Sequence, residues 1–433
     1  MNVSQLRITI NKLEFNNISK EKTIKIIFYV MAIRHLNIQA SSLCKYFMVL
    51  VALLQLSSCQ PKHEQNRIDL SELTPTSVFD IFSDVNLVEL ETTPGSLIGN
   101  IAKVISHNGN FFVQDSQAKA ILCFNEAGRF LFKITALGRG PGEYNNITDF
   151  SIDGENGKLV ILDAPLQRVL FFSLEGKFLD ERHVVTEKDM GFSRVFFLSD
   201  TVLLITSITN EQLVFFCLNE NRVINKDFLQ EEFLQAFTPN FNVYQMDGRT
   251  FVLPALNQQV FDVSNIEPVP HFRWNFGKHD NTEKQFQQLR DEINKRVSPT
   301  DFFYFFHEAV GQSNILHQHI YKVFETSRFS IALVEFENNW RHVIVDKSTG
   351  EIRVFNHFGE QVSLTHISLQ EDMVIGYDSG VKDRIKILGV QEWQHRIVDG
   401  FNPAVLSEPD RQIIENHDPM NNNPFLVVFR FKE

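Results

Sequence analysis

The sequence predicts an all-β fold: a six-bladed β-propeller whose ring is closed by the C-terminal strand, with small helical insertions between blades. Three observations carry that expectation. Past residue 72 the chain is one short β-branched or aromatic run after another, bounded by Gly, Asn and Asp turn residues. A unit of strand, Asp-led turn, strand, Gly turn and strand recurs at an offset of 48 residues. The 41 Phe residues stand against 7 Tyr and 3 Trp, a bias that suits sheets stacked face to face, where flat rings fill wide apolar layers.

The elements follow in chain order. Residues 1–30 precede Met31 and read as an upstream over-extension of the reading frame, with Met31 the start. Residues 31–58 read as a signal peptide. The apolar run Tyr46–Leu56 follows Arg34 and Lys45; it is shorter than the roughly 20 residues that span a bilayer but has the length of a signal-peptide core. It ends in Leu56-Ser57-Ser58-Cys59, which resembles the bacterial lipobox. The small residues fit a narrow peptidase site, and the Cys59 thiol is the nucleophile that receives the lipid. Residues 59–71 then form a lipidated polar linker and residues 72–433 the propeller. Gln60, directly after the Cys, favours an outer-membrane lipoprotein, on the periplasmic side or at the cell surface.

Composition sets bounds on partners. With 43% hydrophobic and 22% charged residues the chain can bury a sizeable core. Its net charge is −12, and because residues 1–58 hold seven Lys/Arg and two acids, the exported part keeps 34 basic against 51 acidic residues, a net of −17. An acidic domain without a Lys/Arg run has no electrostatic footprint for nucleic acid. Cys44 leaves with the signal and Cys59 takes the lipid. Cys123 and Cys217 remain, both inside apolar runs; an oxidising compartment would allow a disulfide between them, and two separate buried thiols is the favoured reading.

The repeat is clearest where Phe111–Leu131 lies over Leu159–Leu179. In that register Asp115 meets Asp163, Ile121 meets Val169, Phe124 meets Phe172, Gly128 meets Gly176 and, upstream, Gly109 meets Gly157. The Gly supplies the positive φ of a hairpin turn, and the Asp bonds the backbone that follows it. Weaker copies are Val202–Ile224, Thr250–Val263, Ile320–Phe355 and Asp372–Leu388. Counted from Ile101 this makes about six units of the length of propeller blades. An open ring would leave sheet edges unpaired. The isolated strand Pro424–Lys432 is therefore expected to pair with the first blade, whose opening strand is Val85–Glu91. Two stretches break the β pattern. Glu283–Arg296 carries Phe286, Leu289 and Ile293 at helical spacing, and Ala404–Asn416 does so more weakly; both read as insertions capping one face.

At Leu137-Gly138-Arg139-Gly140-Pro141-Gly142-Glu143-Tyr144, followed by Ile147–Asp153, the chain resembles the six-bladed, NHL-like and TolB-like propeller lipoproteins of Bacteroides-type bacteria. The ending Asn423–Val428 is similar to that family's closing strand. The resemblance runs from about Val85 to Lys432 and implies an exported propeller, with no reaction attached. Its departures are the poorly preserved third unit and the extra length before the signal peptide.

Candidate functional groups each have two readings. Arg139, Glu143 and Tyr144 either meet a ligand at a loop whose glycines allow close approach, or brace a tight crossover between blades. Asp115 and Asp163 recur at one position per unit, which argues for turn carboxylates; several of them in the channel would suit calcium or another divalent cation. His317 and His319 share one strand face, a spacing that can present imidazoles to a metal, without an evident third ligand. His271, Trp274 and His279 lie in a loop-like stretch and can face a pocket. No catalytic residue, metal ligand or cofactor is assigned. The expected function is a cell-envelope binding or scaffold module whose ligand is a glycan, a peptide or an envelope protein. The alternative is a metal-dependent hydrolase or lactonase at the channel mouth, which requires three or more carboxylates or imidazoles converging there.

Overall fold

Apolar runs in this chain are continuous rather than alternating, because each sheet is covered on both faces. In Phe329–Phe336 every residue is buried. The computed structural model describes residues 67–185, 191–207, 211–229, 242–254, 256–295, 315–360, 367–370, 372–377, 405–418 and 421–433. All belong to one unit, Gln65–Glu433.

A one-turn helix, α1 (Val78–Ile81), is capped by Ser77 and Asp80 in a reciprocal box and leads into β1 (Phe82–Glu89). Blade 1 is β2 (Ile101–His107), β3 (Asn110–Asp115), β4 (Ala120–Asn125) and β5 (Phe130–Ile134). Blade 2 is β6 (Asp149–Asp153), β7 (Lys158–Asp163), β8 (Arg168–Ser173) and β9 (Phe178–His183). Blade 3 is β10 (Phe192–Phe197), β11 (Val202–Ser207), β12 (Glu211–Cys217) and β13 (Arg222–Leu229). Blade 4 is β14 (Asn242–Met246), β15 (Arg249–Leu253), β16 (Gln259–Asp262) and β17 (Val269–Arg273). After α2 (Glu283–Asn294) comes blade 5: β18 (Gln318–Glu325), β19 (Phe329–Phe336), β20 (Asn339–Asp346) and β21 (Ile352–Phe355). The last blade takes β22 (Ile367–Leu369), β23 (Met373–Tyr377) and, after α3 (Glu408–Asn416), β24 (Phe425–Phe431).

Six four-stranded antiparallel sheets result, and the sixth is completed by β1, in the order β22–β23–β24–β1. The opening strands face one another around the axis, β22 with β2, β2 with β6, β6 with β10, and β14 with β18. The outer strands are the exposed ones, as in β9 and β17. The expected six-bladed propeller is what the chain forms.

Closure departs from expectation in one respect. The C-terminal strand does pair with the N-terminal one, Val85 opposite Phe429 and Leu87 opposite Val427. However, β1 does not open the first blade; it is the outer strand of the last. The chain reaches the ring from outside, so the first strand it lays down is an outer one. Rings of Phe82, Phe429 and Phe431 fill the seam, with centroids of Phe82 and Phe431 4.9 Å apart.

The propeller also begins earlier than residue 72. Ile68 and Leu70 are buried in the core shared by blades 4, 5 and 6. The Ile68 N–H donates to the Asn275 carbonyl, and the Arg341 guanidinium donates to the Leu70 carbonyl. Residues 68–71, expected as linker, are a strap across two blades. The hairpin expected over Asp372–Leu388 is described only through Met373–Tyr377, which pairs with β24; the rest lies outside the described residues.

The core lies between blades rather than at the axis. One cluster joins Val160, Leu162 and Phe171 of blade 2 to Val195, Leu203 and Phe216 of blade 3. Another joins Phe112 and Ile121 of blade 1 to Phe150 and Leu159 of blade 2. The repeat glycines explain how hairpins fit against neighbours. Gly128 and Gly176 have φ of 75° and 81°. A Cβ on Gly128 would fall on the Glu89 carbonyl oxygen, and one on Gly176 would meet the Phe132 ring. Cys123 and Cys217 are separate buried thiols, and burial pushes the Cys123 thiol up to about 12.

Candidate ligand site in the central channel

The groups singled out from the sequence fall at several places. Asp115 ends β3, is fully buried, and accepts four backbone N–H bonds: from Gly99 at 2.8 Å, Asn100 at 3.1 Å, Gln117 at 2.9 Å and Ala118 at 3.0 Å. It ties the entry of one strand to the exit of another. Asp163 holds the same position in blade 2, accepts from Asn145 N at 2.7 Å and sits 3.8 Å from Arg168 Nε. Both carboxylates are fully buried and accept backbone N–H groups.

The glycine-rich stretch is the crossover from β5 to β6. Tyr144 has no exposed surface; its hydroxyl donates to the Lys119 and Ile134 carbonyls, and burial raises it to about 12. A ligand cannot reach it, which corrects its place among loop contacts. Glu143 accepts from the Gly140 N–H, and its own carbonyl takes the Arg168 guanidinium. Gly142 donates to Glu181 at 3.0 Å. Of the three expected contacts, Arg139 and Glu143 are exposed. Arg168, which sequence reasoning passed over, is the buried centre of this brace.

His271 is tied into a contact between blades. Its Nε2 lies 2.9 Å from Glu325 Oε2, which also accepts from the Tyr244 hydroxyl at 2.8 Å, while Ser330 Oγ donates to Oε1 at 2.7 Å. Burial alone would raise the Glu325 carboxyl; the bond to His271, the Lys347 charge and Ser330 together hold it below its ordinary value. The cluster locks blade 4 to blade 5. His279 bonds Asp69 of the strap at 3.1 Å, and Trp274 is buried. His317 is exposed and His319 partly so. Among the described residues no three His, Cys, Asp or Glu side chains converge where a metal ion could be held.

The site that assembles lies instead on the opening strands. Lys103 on β2 donates to Asp149 Oδ1 on β6 at 2.8 Å and to the Phe150 carbonyl at 2.7 Å. Asp149 Oδ2 takes the Val195 N–H of β10 at 3.0 Å, so one buried carboxylate joins three blades. Gln245 Nε2 donates to the Phe197 carbonyl at 2.8 Å, and Gln370 Oε1 accepts the Ser106 N–H at 3.2 Å, joining further pairs of blades. Arg194 on β10 lies close enough to repel both Lys103 and Lys322. Those residues stand on blades 1, 3 and 5. Their strands are among the opening strands that face one another around the axis.

Burial pushes Lys322 down to about 8, and the Arg194 charge pushes the same way. The sign of its pH dependence follows. Between about 8 and the ordinary 10.5 the unfolded chain holds a proton that the folded chain has released, so stability rises with pH across that window. The expected result is that Lys322→Met loses this rise, read as the change in urea midpoint between about pH 7.5 and about pH 9.5 relative to wild type.

One sequence signal points to these residues. An apolar residue, any residue, a cation and Val recur as Ile101-Ala102-Lys103-Val104, Phe192-Ser193-Arg194-Val195 and Ile320-Tyr321-Lys322-Val323. In each, the pairing register shifts between the apolar residue and the cation. A bulge there re-aims the side chain that follows it.

Six blades closed by an N-terminal outer strand around a charged channel define the class: a six-bladed β-propeller of the Bacteroides type. The chain belongs to the DUF4934 family, a domain of unknown function whose family model matches residues 65–387. Among solved structures it is similar to a Bacteroides fragilis protein whose name assigns it to export, BF0058, at 18% identity and TM-score 0.63, covering 84% of this chain and 98% of that one. It is also similar to a DUF4221 member from Bacteroides vulgatus, at 9% identity and TM-score 0.49, covering 85% and 99%. No curated protein matches the sequence. No described helix is long and apolar enough to cross a membrane.

Proposed function

We propose that the protein is a lipid-anchored binding module of the cell envelope, holding its ligand at the central channel. The observation that carries this reading is on the opening strands, where Lys103, Asp149, Arg194 and Lys322 stand around the axis and Lys103 is paired to Asp149 at 2.8 Å. Charged groups held in a partly enclosed channel focus the field and attract a complementary ligand. Anchoring rests on Leu56–Cys59 and agrees with the export named for the Bacteroides fragilis relative. The partner is a glycan, a peptide or an envelope protein, and the anchor places the propeller at the outer membrane.

Two measurements test the parts. Cys59→Ala is expected to move the protein from the membrane to the soluble fraction and to abolish incorporation of a labelled fatty acid. A membrane-bound, unlabelled Cys59→Ala protein would sink the anchor. For the propeller, a glycan and peptide screen read by thermal melt is expected to find ligands that raise the midpoint in proportion to log concentration. Hits unaffected by substitutions at Arg194 and Lys322 would move the binding surface away from the channel.

A further inference from the structure

We infer that Tyr321 and Trp340 form a stacking platform for a pyranose ring, which makes the ligand of this propeller a glycan. This rests on the binding-module reading above and names the chemistry of its ligand. Tyr321 is the extra residue in the bulge of β18, where the register shifts between Ile320 and Lys322. The bulges of β2 and β10 hold Ala102 and Ser193 at that position. A small side chain therefore satisfies the bulge, and the backbone of blade 5 does not require the ring it carries there. That ring is 43% exposed.

The ring is nonetheless held. Trp340 of β20 meets it across β19, with centroids 5.2 Å apart and planes at 65°. Asn242 of blade 4 donates to the Tyr321 carbonyl at 3.1 Å and pins the bulge from the neighbouring blade. A platform fixed in advance loses less freedom when a ligand arrives. Its residue types fit a sugar. Phe fills the layers between blades, and the buried Tyr144 and Tyr244 spend their hydroxyls on internal bonds. The exposed corner instead pairs the two ring types that carry a polar handle. A pyranose offers an apolar C–H face to a ring and a rim of hydroxyls to polar groups beside it. The hairpin tip next to Trp340 supplies such groups in the exposed Glu337, Asn338 and Asn339, and Asn339 Nδ2 fixes the tip by donating to the Glu337 carbonyl at 2.8 Å. The two rings meet over a sheet face, which suits a sugar ring laid flat better than a peptide strand added at an edge.

The test titrates the purified protein calorimetrically with maltohexaose, cellohexaose, xylohexaose and N-acetylchitotetraose, with glycerol and a Gly/Ser peptide as controls. At least one of these oligosaccharides is expected to bind saturably with a dissociation constant at or below about 1 mM, and neither control is. Tyr321→Ala and Tyr321→Ser, which copy the bulges of blades 1 and 3, are expected to weaken that sugar about tenfold while melting as wild type does. Trp340→Ala is expected to weaken it equally, and Trp340→Phe, which keeps a ring, to recover most of the loss. Should Trp340→Ala fail to fold, the Tyr321 variants decide alone. No saturable binding by any of these sugars, or binding unchanged in the Tyr321 variants, overturns the inference. Sugar binding that survives at Tyr321 but is lost on substituting Arg194 and Lys322 also overturns it, and leaves the channel reading standing. Peptide hits where no sugar binds overturn the glycan and leave the binding module standing.

Discussion

Deleting Phe425–Glu433 is expected to abolish cooperative folding of the whole ring. The deleted segment is the third strand of the closing blade, with β23 on one side and β1 on the other. Its loss unpairs both, exposing two sheet edges at once. It also removes Leu426, Val427, Val428 and Phe429, all nearly fully buried. Truncating a single such side chain costs about 2–5 kcal/mol, and the whole stability of a domain is about 5–15 kcal/mol, so losing four exceeds what the fold has. The check is a urea titration followed by far-ultraviolet circular dichroism. A sharp transition in the truncated chain would mean that the ring holds without its seam. Phe82→Ala is the graded version, expected to lower stability by about 3–5 kcal/mol with an unchanged denaturant slope.

The second large effect is expected at Asp115. Asp115→Ala leaves four part-buried N–H groups, those of Gly99, Asn100, Gln117 and Ala118, without their acceptor. At about 1–3 kcal/mol for each unsatisfied group, partly relieved by water, a loss of about 3–5 kcal/mol follows. Asp115→Asn separates charge from shape. Its oxygen can take the three bonds made by Oδ1, but its amide nitrogen then opposes the Gly99 N–H, so the expected loss is smaller though still measurable. Asp163→Ala differs in kind: it removes one of the two carboxylates beside the buried Arg168, and because Glu181 at 3.5 Å remains, the expected cost is below the about 3–5 kcal/mol of a fully stranded charge. Equal stability of Asp115→Ala and wild type would overturn the turn role argued for the repeated carboxylates.

How much of this was legible depended on whether the determining contacts are local. The hairpins of blades 1 and 2 were readable because Gly128, Gly176, Asp115 and Asp163 act on the backbone within a few residues, and their recurrence marks the register. The helix at Glu283–Asn294 was readable from its apolar spacing, ending two residues before the expected Arg296. The order of strands in the closing blade was not. Pairing of the two ends follows from unpaired edges, but whether β1 is an inner or outer strand depends on the route of Ile68–Thr76 across blades 4 and 5, which no local pattern encodes. The strap itself reads as a polar linker, since two apolar residues among polar neighbours show no strand or helix period.

The candidate site shows the same division. Tyr144, Glu143 and His271 were visible as residue types that carry chemistry, yet their neighbours decide their roles: carbonyls for Tyr144, Gly140 and Arg168 for Glu143, and Glu325 for His271. The channel cations were hidden because lone Lys and Arg residues in strands ordinarily mark solvated faces. The repeat, the blade count, the turn chemistry and the family are all legible in the residues, since each of these is encoded over a few tens of positions. Tertiary contacts alone set Lys103 against Asp149 and stand Arg194 and Lys322 on other opening strands around the same axis. Those strands lie far apart in the chain, and ring closure, a long-range event driven by burial between blades, is what arranges them around it.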